Sequence, residues 1–207
     1  TEAGLYVESV VLARQVAAFM DDGIAPDNAL HVQLDADGRL VWSAEEDGKP
    51  AVVQHGSVNL GLAIDLAKPD GSRQLLVPNI MHADTMDFAA FHATYETLIE
   101  NARTNKLMPD DFSGGTIQLT NPGGLGTVAS VPRLMAGQGT IVAVGAISYP
   151  PEFSTVGPER IRELGISKVM TITSTYDHRV IQGAESGSFL RTIERFLSGT
   201  EPFYEAI

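Results

Sequence analysis

One histidine of this chain lies where an imidazole could act in chemistry. His178 follows a strand-like run and precedes a helical pattern, within the stretch TSTYDHRVIQGAESGSFL. On an extended backbone Asp177 and Arg179 point to one side and His178 to the other, which predicts an ion pair that fixes the loop and a presented imidazole. Histidine is the commonest general base because its ordinary pKa is ~6.5. A packed, structural histidine is the competing interpretation.

Most other catalytic and metal-binding patterns are absent from the sequence. The chain has no cysteine, which excludes disulfides, thiolate ligands and a cysteine nucleophile. No pair of histidines has metal-ligand spacing, and the serine segments ESGSF and GSVNL do not match G-x-S-x-G. The glycines of NPGGLG lack phosphate-loop spacing. We therefore expect no metal site, and we interpret the other histidines as surface or packing residues: His31, His55, His82 and His92.

The elements that must position His178 belong to one α/β domain over residues 1–207. Helical spacing predicts helices at 6–20, after an N-cap at Thr85, at 158–164 and at 184–197, and apolar runs predict strands at 58–66, 74–80, 115–120, 139–147 and 168–176. Asp37-Gly38 and Asp47-Gly48 indicate hairpins. Strands and helices do not alternate regularly, so we expect a mixed, largely antiparallel sheet with packed helices rather than a doubly wound nucleotide fold.

Composition restricts the partners of this domain. The chain has 207 residues, 43% of them hydrophobic and 19% charged, and a formal net charge of -12. Such a surface repels nucleic acid and anionic membranes. No apolar run approaches the ~20 residues that span a bilayer, and no signal peptide is visible. These features predict a cytoplasmic protein that binds neither nucleic acid nor membrane.

Three segments together resemble the E2 acyltransferases of 2-oxo acid dehydrogenase complexes. YDHRVIQGAESGSFL resembles the family's D-H-R-x-x-x-G signature, TIQLTNPGGLGT its second active-site segment, and VNLGLAIDL with QLLVPNI its central hairpin. They occur in the family's order, over about residues 58–197. The sequence of these segments is most similar to that of the E2-like domain of actinobacterial multifunctional 2-oxoglutarate decarboxylase/dehydrogenases. The implied fold is that of coenzyme A-dependent acyltransferases, related to chloramphenicol acetyltransferase.

The resemblance implies roles for matching residues. His178 would be the general base that deprotonates coenzyme A, and the Thr120 hydroxyl would donate to the oxyanion of the tetrahedral intermediate. Asn121, Gly123 and Gly124 would shape the turn, allow close backbone approach and form part of the coenzyme A binding site. Gln182 replaces an acidic residue of most family members and can still form hydrogen bonds. Without the resemblance, Thr120 reads equally well as a hydroxyl that caps its own backbone.

The resemblance also implies partners. It predicts dihydrolipoamide succinyltransferase activity, with a lipoyl domain and coenzyme A as substrates, a thiamine-diphosphate E1 component that is partner or fused, and a homotrimer whose sites lie between subunits. Residues 1–57 match poorly, and the family's N-terminal helix and strand are expected to be missing. That favours a second hypothesis, a non-catalytic E2-like trimerisation scaffold. A relative that acylates another acceptor is a third.

Overall fold

A mixed sheet organises the protein. The computed structural model describes residues 43–44, 50–51, 55–135 and 137–201. Within them, five strands form one sheet in the order β6-β3-β7-β8-β9, and β1–β2 and β4–β5 form separate antiparallel pairs. The strands are β1 (Ser43–Ala44), β2 (Pro50–Ala51), β3 (Leu60–Leu62), β4 (Ile64–Ala67), β5 (Arg73–Leu76), β6 (Asn79–Ile80), β7 (Ile117–Thr120), β8 (Thr140–Val144) and β9 (Ile172–Tyr176); the α-helices are α1 (Phe88–Arg103), α2 (Pro158–Glu163) and α3 (Gly183–Leu197).

Strand direction defines two edges of the five-stranded sheet. β3, β7 and β8 are parallel neighbours, whereas β6 and β9 run antiparallel to them. We call the edge where β7 and β8 begin the amino edge and the edge where they end the carboxyl edge. Because β9 runs the other way, its last residue, Tyr176, lies at the amino edge. The mixed sheet with packed helices is the predicted architecture.

One face of the sheet is apolar and carries the helices. α1 contributes Phe91, Tyr95 and Leu98 to the core, and α3 contributes Phe189. Ser174 of β9 forms a hydrogen bond with Ser186 of α3 across the same layer, 2.6 Å between hydroxyl oxygens. The strand residues of this core recur at every second position, as a half-buried strand requires: Leu60, Leu62, Ile117, Leu119, Val142 and Val144.

The opposite face of the sheet has a different character, and we call it the polar face. Alternation along the strands places hydroxyl and amide side chains there, beside the small residues Gly61 and Ala143. The Thr173 hydroxyl donates to the Ser130 carbonyl, so the chain between β7 and β8 contacts this face. The polar side chains on it, from β7 and β9, are Gln118, Thr120, Thr173 and Thr175.

Helix α1 begins later than predicted. Asp87 is its N-cap, because its carboxylate accepts the Ala90 N–H at 2.7 Å. Thr85 was the wrong choice, since its hydroxyl donates to the His82 carbonyl at 2.9 Å within a preceding 3-10 turn. Helical spacing predicts one inward face, and it is confirmed: four of its five residues are buried and Phe88 packs partly against the core, the five being Phe88, Phe91, Tyr95, Leu98 and Ala102.

The two predicted central strands each divide into two. Residues 58–66 give β3 and β4, and residues 74–80 give β5 and β6. The break has a hydrogen-bond cause: the Ala63 N–H donates to the Leu119 carbonyl of β7, and Pro78 has no N–H to offer the hairpin. β4 and β5 therefore leave the sheet as their own ladder. The last strand begins at Ile172 rather than at 168, and Val169 forms only an isolated bridge with Ser148.

Some predicted elements fall outside the described residues. These are the helix at 6–20 and the Asp37-Gly38 hairpin; β1 and β2 pair antiparallel on either side of Asp47-Gly48, but the turn itself lies outside. No helix in the described ranges is long and apolar enough to cross a membrane.

Candidate active site

His178 lies in a tight turn that joins β9 to α3. The turn starts where the Asp177 N–H donates to the Gly139 carbonyl at 2.8 Å, which holds it on the amino edge of the sheet. The Asp177 carbonyl then accepts the Ile181 N–H at 2.9 Å, which reverses the chain before the helix begins at Gly183. His178 is exposed at the tip of this turn. The prediction of a presented rather than packed imidazole agrees with this placement.

An ion pair braces the turn. Asp177 Oδ1 accepts the Arg179 backbone N–H at 3.0 Å and the guanidinium Nε–H at 2.9 Å. These side-chain hydrogen bonds lower the pKa of Asp177 below its ordinary value, against the opposing effect of partial burial. The predicted Asp177–Arg179 pair is therefore present. The reason given for it was wrong: the backbone turns back on itself here, and the pair does not depend on extended-strand alternation.

Tyr176 supports the imidazole from the strand side. Its ring centroid lies 5.5 Å from that of His178, with the ring planes inclined by 49°. The Tyr176 hydroxyl lies 3.4 Å from the position that a Cβ atom on Gly183 would take, so the ring reaches from the turn to the start of α3. The imidazole is thus open to solvent on one side and bounded by an aromatic ring on another.

Gln182 lies on the same turn, four positions after His178. It is exposed at the start of α3, and its backbone N–H donates to the Glu185 carboxylate. Its carbonyl accepts the Ser186 N–H at 3.1 Å, the first bond of the helix. The structure therefore places His178 and Gln182, the two candidate residues of the signature segment, on one exposed turn.

Thr120 lies at the other end of the sheet. It is the last residue of β7 and half-buried on the polar face, at the carboxyl edge. Within the described ranges, its hydroxyl has no hydrogen bond to backbone or side chain. The interpretation of Thr120 as a hydroxyl that caps its own backbone therefore finds no support.

The glycine turn after Thr120 is packed closely against β8. The Asn121 side chain accepts the Gly123 N–H at 3.1 Å and starts a short 3-10 helix over Pro122–Leu125. A Cβ atom on Gly123 would lie 2.4 Å from the carbonyl carbon and oxygen of Gly145. Gly123 thus permits a close backbone approach, to the protein's own chain. Gly124 has open space around it, with nothing within 4 Å of such an atom.

Strand register shows that Thr120 and His178 do not meet within one chain. Thr120 pairs with Ala143, and Ala143 pairs with Thr173, three residues before Tyr176 on β9. With the usual strand rise and spacing, the Cα atoms of Thr120 and Tyr176 are roughly 14 Å apart. His178 lies beyond Tyr176, at the opposite edge. Within one copy the candidate residues therefore form two groups at opposite edges, His178 with Gln182 and Thr120 with its glycine turn, and we call these groups the candidate half-sites.

Gln118 is a polar residue of this region that the sequence analysis did not single out. It lies two positions before Thr120 on β7, on the same face, and is only 6% exposed. The alternation in TIQLT, with Ile117 and Leu119 in the core, is the signal that could have found it. Groups of three or more His, Cys, Asp or Glu side chains that could hold a metal are not found in the described residues.

The fold defines the class of protein. Three solved structures share it. Dihydrolipoamide acetyltransferase of Azotobacter vinelandii has a TM-score of 0.64 and 24% sequence identity, with 94% of this chain and 70% of that one covered. A probable dihydrolipoamide acetyltransferase of Listeria monocytogenes has a TM-score of 0.61 and 23% identity (89% and 67% covered), and a truncated catalytic core of the 2-oxoacid dehydrogenase multienzyme complex of Thermoplasma acidophilum has a TM-score of 0.63 and 22% identity (92% and 73% covered). The domain therefore has the fold of an E2 acyltransferase catalytic core.

The chain belongs to the family of 2-oxoacid dehydrogenase acyltransferase catalytic domains, whose model matches residues 41–203. It is 59% identical over 162 residues to the multifunctional 2-oxoglutarate metabolism enzyme of Mycobacterium sp. (strain JLS), and 58% identical over 164 residues to that of Mycolicibacterium vanbaalenii. These matches cover 78% and 79% of this chain but only 13% of each relative. The chain thus spans about an eighth of the length of these relatives.

Proposed function

We propose that this domain transfers a succinyl group between the dihydrolipoyl-lysine of a lipoyl domain and coenzyme A, in 2-oxoglutarate metabolism. Family membership supports acyl transfer, and the names of the mycobacterial relatives support 2-oxoglutarate as the parent acid. The observation that carries the proposal is the pair of half-sites: a braced, solvent-open imidazole at one edge, and an unpartnered strand-end hydroxyl at the other.

The residues would divide the chemistry as follows. His178 takes the proton from the coenzyme A thiol, because a thiol with an ordinary pKa of about 8.5 is scarcely ionised at neutral pH. The thiolate attacks the thioester carbonyl, and the Thr120 hydroxyl donates to the oxygen as it becomes negative. The carbon–sulfur bond to the dihydrolipoyl arm then breaks, and the imidazolium returns the proton to the leaving sulfur. Gln182, four positions after His178, would offer its amide for hydrogen bonding at the site.

Separation of the half-sites supports a shared site. Since His178 and Thr120 of one copy lie at opposite edges, His178 of one copy would face Thr120 of the next in a homotrimer. The Azotobacter structure was studied for the mechanistic roles of a serine, a histidine and an asparagine, and that histidine and asparagine are four positions apart, as His178 and Gln182 are. The turn residues Asn121, Gly123 and Gly124 would then border coenzyme A.

The wider setting is part of the proposal. The lipoyl domain and a thiamine-diphosphate E1 component are partners, and the multifunctional names of the relatives favour an E1 carried on the same polypeptide. A single domain over residues 1–207 and a cytoplasmic location stay predictions.

A histidine substitution tests the proposal. Transfer from succinyl-coenzyme A to dihydrolipoamide is measured for the wild type, His178→Ala and the control His92→Ala, a half-buried histidine on α1 whose Nε2 lies 3.8 Å from the Glu96 carboxylate. Loss of a general base lowers kcat by about 10²–10⁴-fold in His178→Ala, whereas His92→Ala keeps wild-type turnover. Full activity of His178→Ala would end the proposal. An intact oligomer without any turnover would favour the non-catalytic scaffold.

A further inference from the structure

We propose that Gln118 binds the secondary amide of an acyl-carrying arm as that arm crosses the polar face of the sheet toward Thr120. The inference rests on the proposed function and extends it, because it names a binding residue outside the matched motifs. Its basis is an amide side chain that is largely buried, has no hydrogen bond to the described residues, and shares a strand face with the proposed oxyanion donor.

Gln118 is a largely buried residue whose carboxamide has no hydrogen bond to the described residues. In the described ranges, the other buried polar side chains all form hydrogen bonds: Asn59 donates to the Gly114 carbonyl at 2.8 Å, Asn79 to the Ser113 carbonyl at 3.0 Å, and Ser186 pairs with Ser174. The Gln118 carboxamide has no such bond. The Gln118 amide atoms are not fully enclosed by protein, so they stay open to a ligand on the polar face.

A glycine makes room for this side chain. Gly61 pairs with Gln118 across the β3–β7 ladder, and a Cβ atom on Gly61 would lie 2.9 Å from Gln118 Cγ. The same atom would lie 2.9 Å from Asn79 Oδ1 on the other side. Any larger residue at position 61 would therefore push both amides aside. The Asn79 amide donates to carbonyl groups of the turn at 109–113, whereas the Gln118 amide has no hydrogen bond to the described residues.

The position suits an amide close to the reacting sulfur. Residues two apart on a strand are about 7 Å apart, so Gln118 lies one such step behind the Thr120 hydroxyl. A pantetheine arm has an amide separated from its sulfur by an ethylene link, and a dihydrolipoyl arm has one further away. Either amide offers an N–H and a carbonyl, and a glutamine carboxamide complements both. The shared chemistry is a secondary amide, and the experiment must separate the two sources.

Ester analogues separate them, because an ester cannot donate a hydrogen bond. On the coenzyme side, N-acetylcysteamine is compared with 2-mercaptoethyl acetate as acyl acceptor. On the lipoyl side, N-methyl dihydrolipoamide, a secondary amide, is compared with methyl dihydrolipoate. The variants are Gln118→Met, which keeps the volume and removes the amide, and Gly61→Ala, which displaces it. Gln74→Met, on the separate β4–β5 hairpin, is the control.

The wild type and Gln74→Met are expected to prefer the amide over the ester in one of these pairs by about tenfold in KM, the equivalent of one good hydrogen bond. In Gln118→Met and Gly61→Ala that preference disappears, because KM rises more for the amide than for the ester: only the amide loses the acceptor of its N–H. A cooperative thermal unfolding transition shows that each variant is folded. The pair whose preference disappears identifies the arm.

Preference for the amide that persists in both variants overturns the inference, as does an equal loss with amide and ester. A wild type that transfers no acyl group to any thiol instead refutes the proposed function, so the two failures are distinct.

Discussion

The separation of the half-sites makes a quantitative prediction about mixed assemblies. We expect His178→Ala and Thr120→Val to be nearly inactive alone, each reduced by about 10²-fold or more through loss of the base or of the oxyanion donor. Co-assembly of the two restores activity, because a site between copies takes its imidazole from one copy and its hydroxyl from the next. A site within one chain cannot be restored in this way, since every copy lacks one of the two groups.

The expected recovery follows from counting. In a closed ring assembled at random from equal amounts of both variants, half of the copies carry His178 and the other half carry Thr120, so about one quarter of the sites are complete. In a second mixture, of wild type with the double variant His178→Ala/Thr120→Val, about one quarter of the sites are complete if sites lie between copies. About one half are complete if each site lies within a chain. Each mixture therefore discriminates on its own.

The assay needs co-expressed, separately tagged variants, with the ratio of copies measured by mass spectrometry and the particle mass by light scattering. Succinyl transfer to dihydrolipoamide is then compared with the wild type at equal subunit concentration. Variants purified apart and mixed without reassembly serve as the control for simple addition. The shared site would be refuted if particles shown to contain both variants had no more activity than the mean of the single variants. The interpretation of Thr120 and His178 as one catalytic pair would then be wrong as well.

Two further predictions concern the turns that hold the half-sites. Gly123→Ala forces a methyl group against the Gly145 carbonyl and should lower the free energy of unfolding by about 1–3 kcal/mol in urea titrations, whereas Gly124→Ala, with open space, should be near neutral; equal effects would contradict the packing of this turn. Because Arg179 lowers the native pKa of Asp177, the ionised pair stabilises the fold above the unfolded pKa, about 3.9, and this contribution is lost as pH falls through the lower native pKa. Asp177→Asn should therefore cost the same stability between about pH 6 and pH 8, and the deficit should close below about pH 4; a deficit independent of pH down to pH 2 would count against the pair.

Helix α1 shows which structural features can be predicted from sequence patterns. Helical periodicity identified the buried face of α1 correctly, because a single helix already positions Phe91, Tyr95 and Leu98 on one side. The start of that helix was missed, since Thr85 and Asp87 are both good capping residues and only the local turn decides which one accepts the Ala90 N–H.

Strand ends and site geometry depended on contacts that are distant in sequence. The break between β3 and β4 follows from a hydrogen bond between Ala63 and Leu119, which no local pattern contains. The resemblance to a family selected His178 and Thr120, but register alone separates them to opposite edges. Gln118 was overlooked because its significance comes from the absence of a partner, a property of the folded chain and not of its neighbours in sequence.

Register between β7, β8 and β9 also has a consequence for how copies can join. If the imidazole edge of one molecule docks on the threonine edge of another, the contact is head-to-tail and each molecule still offers its remaining edge. Two molecules so joined would complete a single site and leave two halves unmatched. Only a closed ring pairs every half-site with its complement, so all active sites become complete when the ring closes.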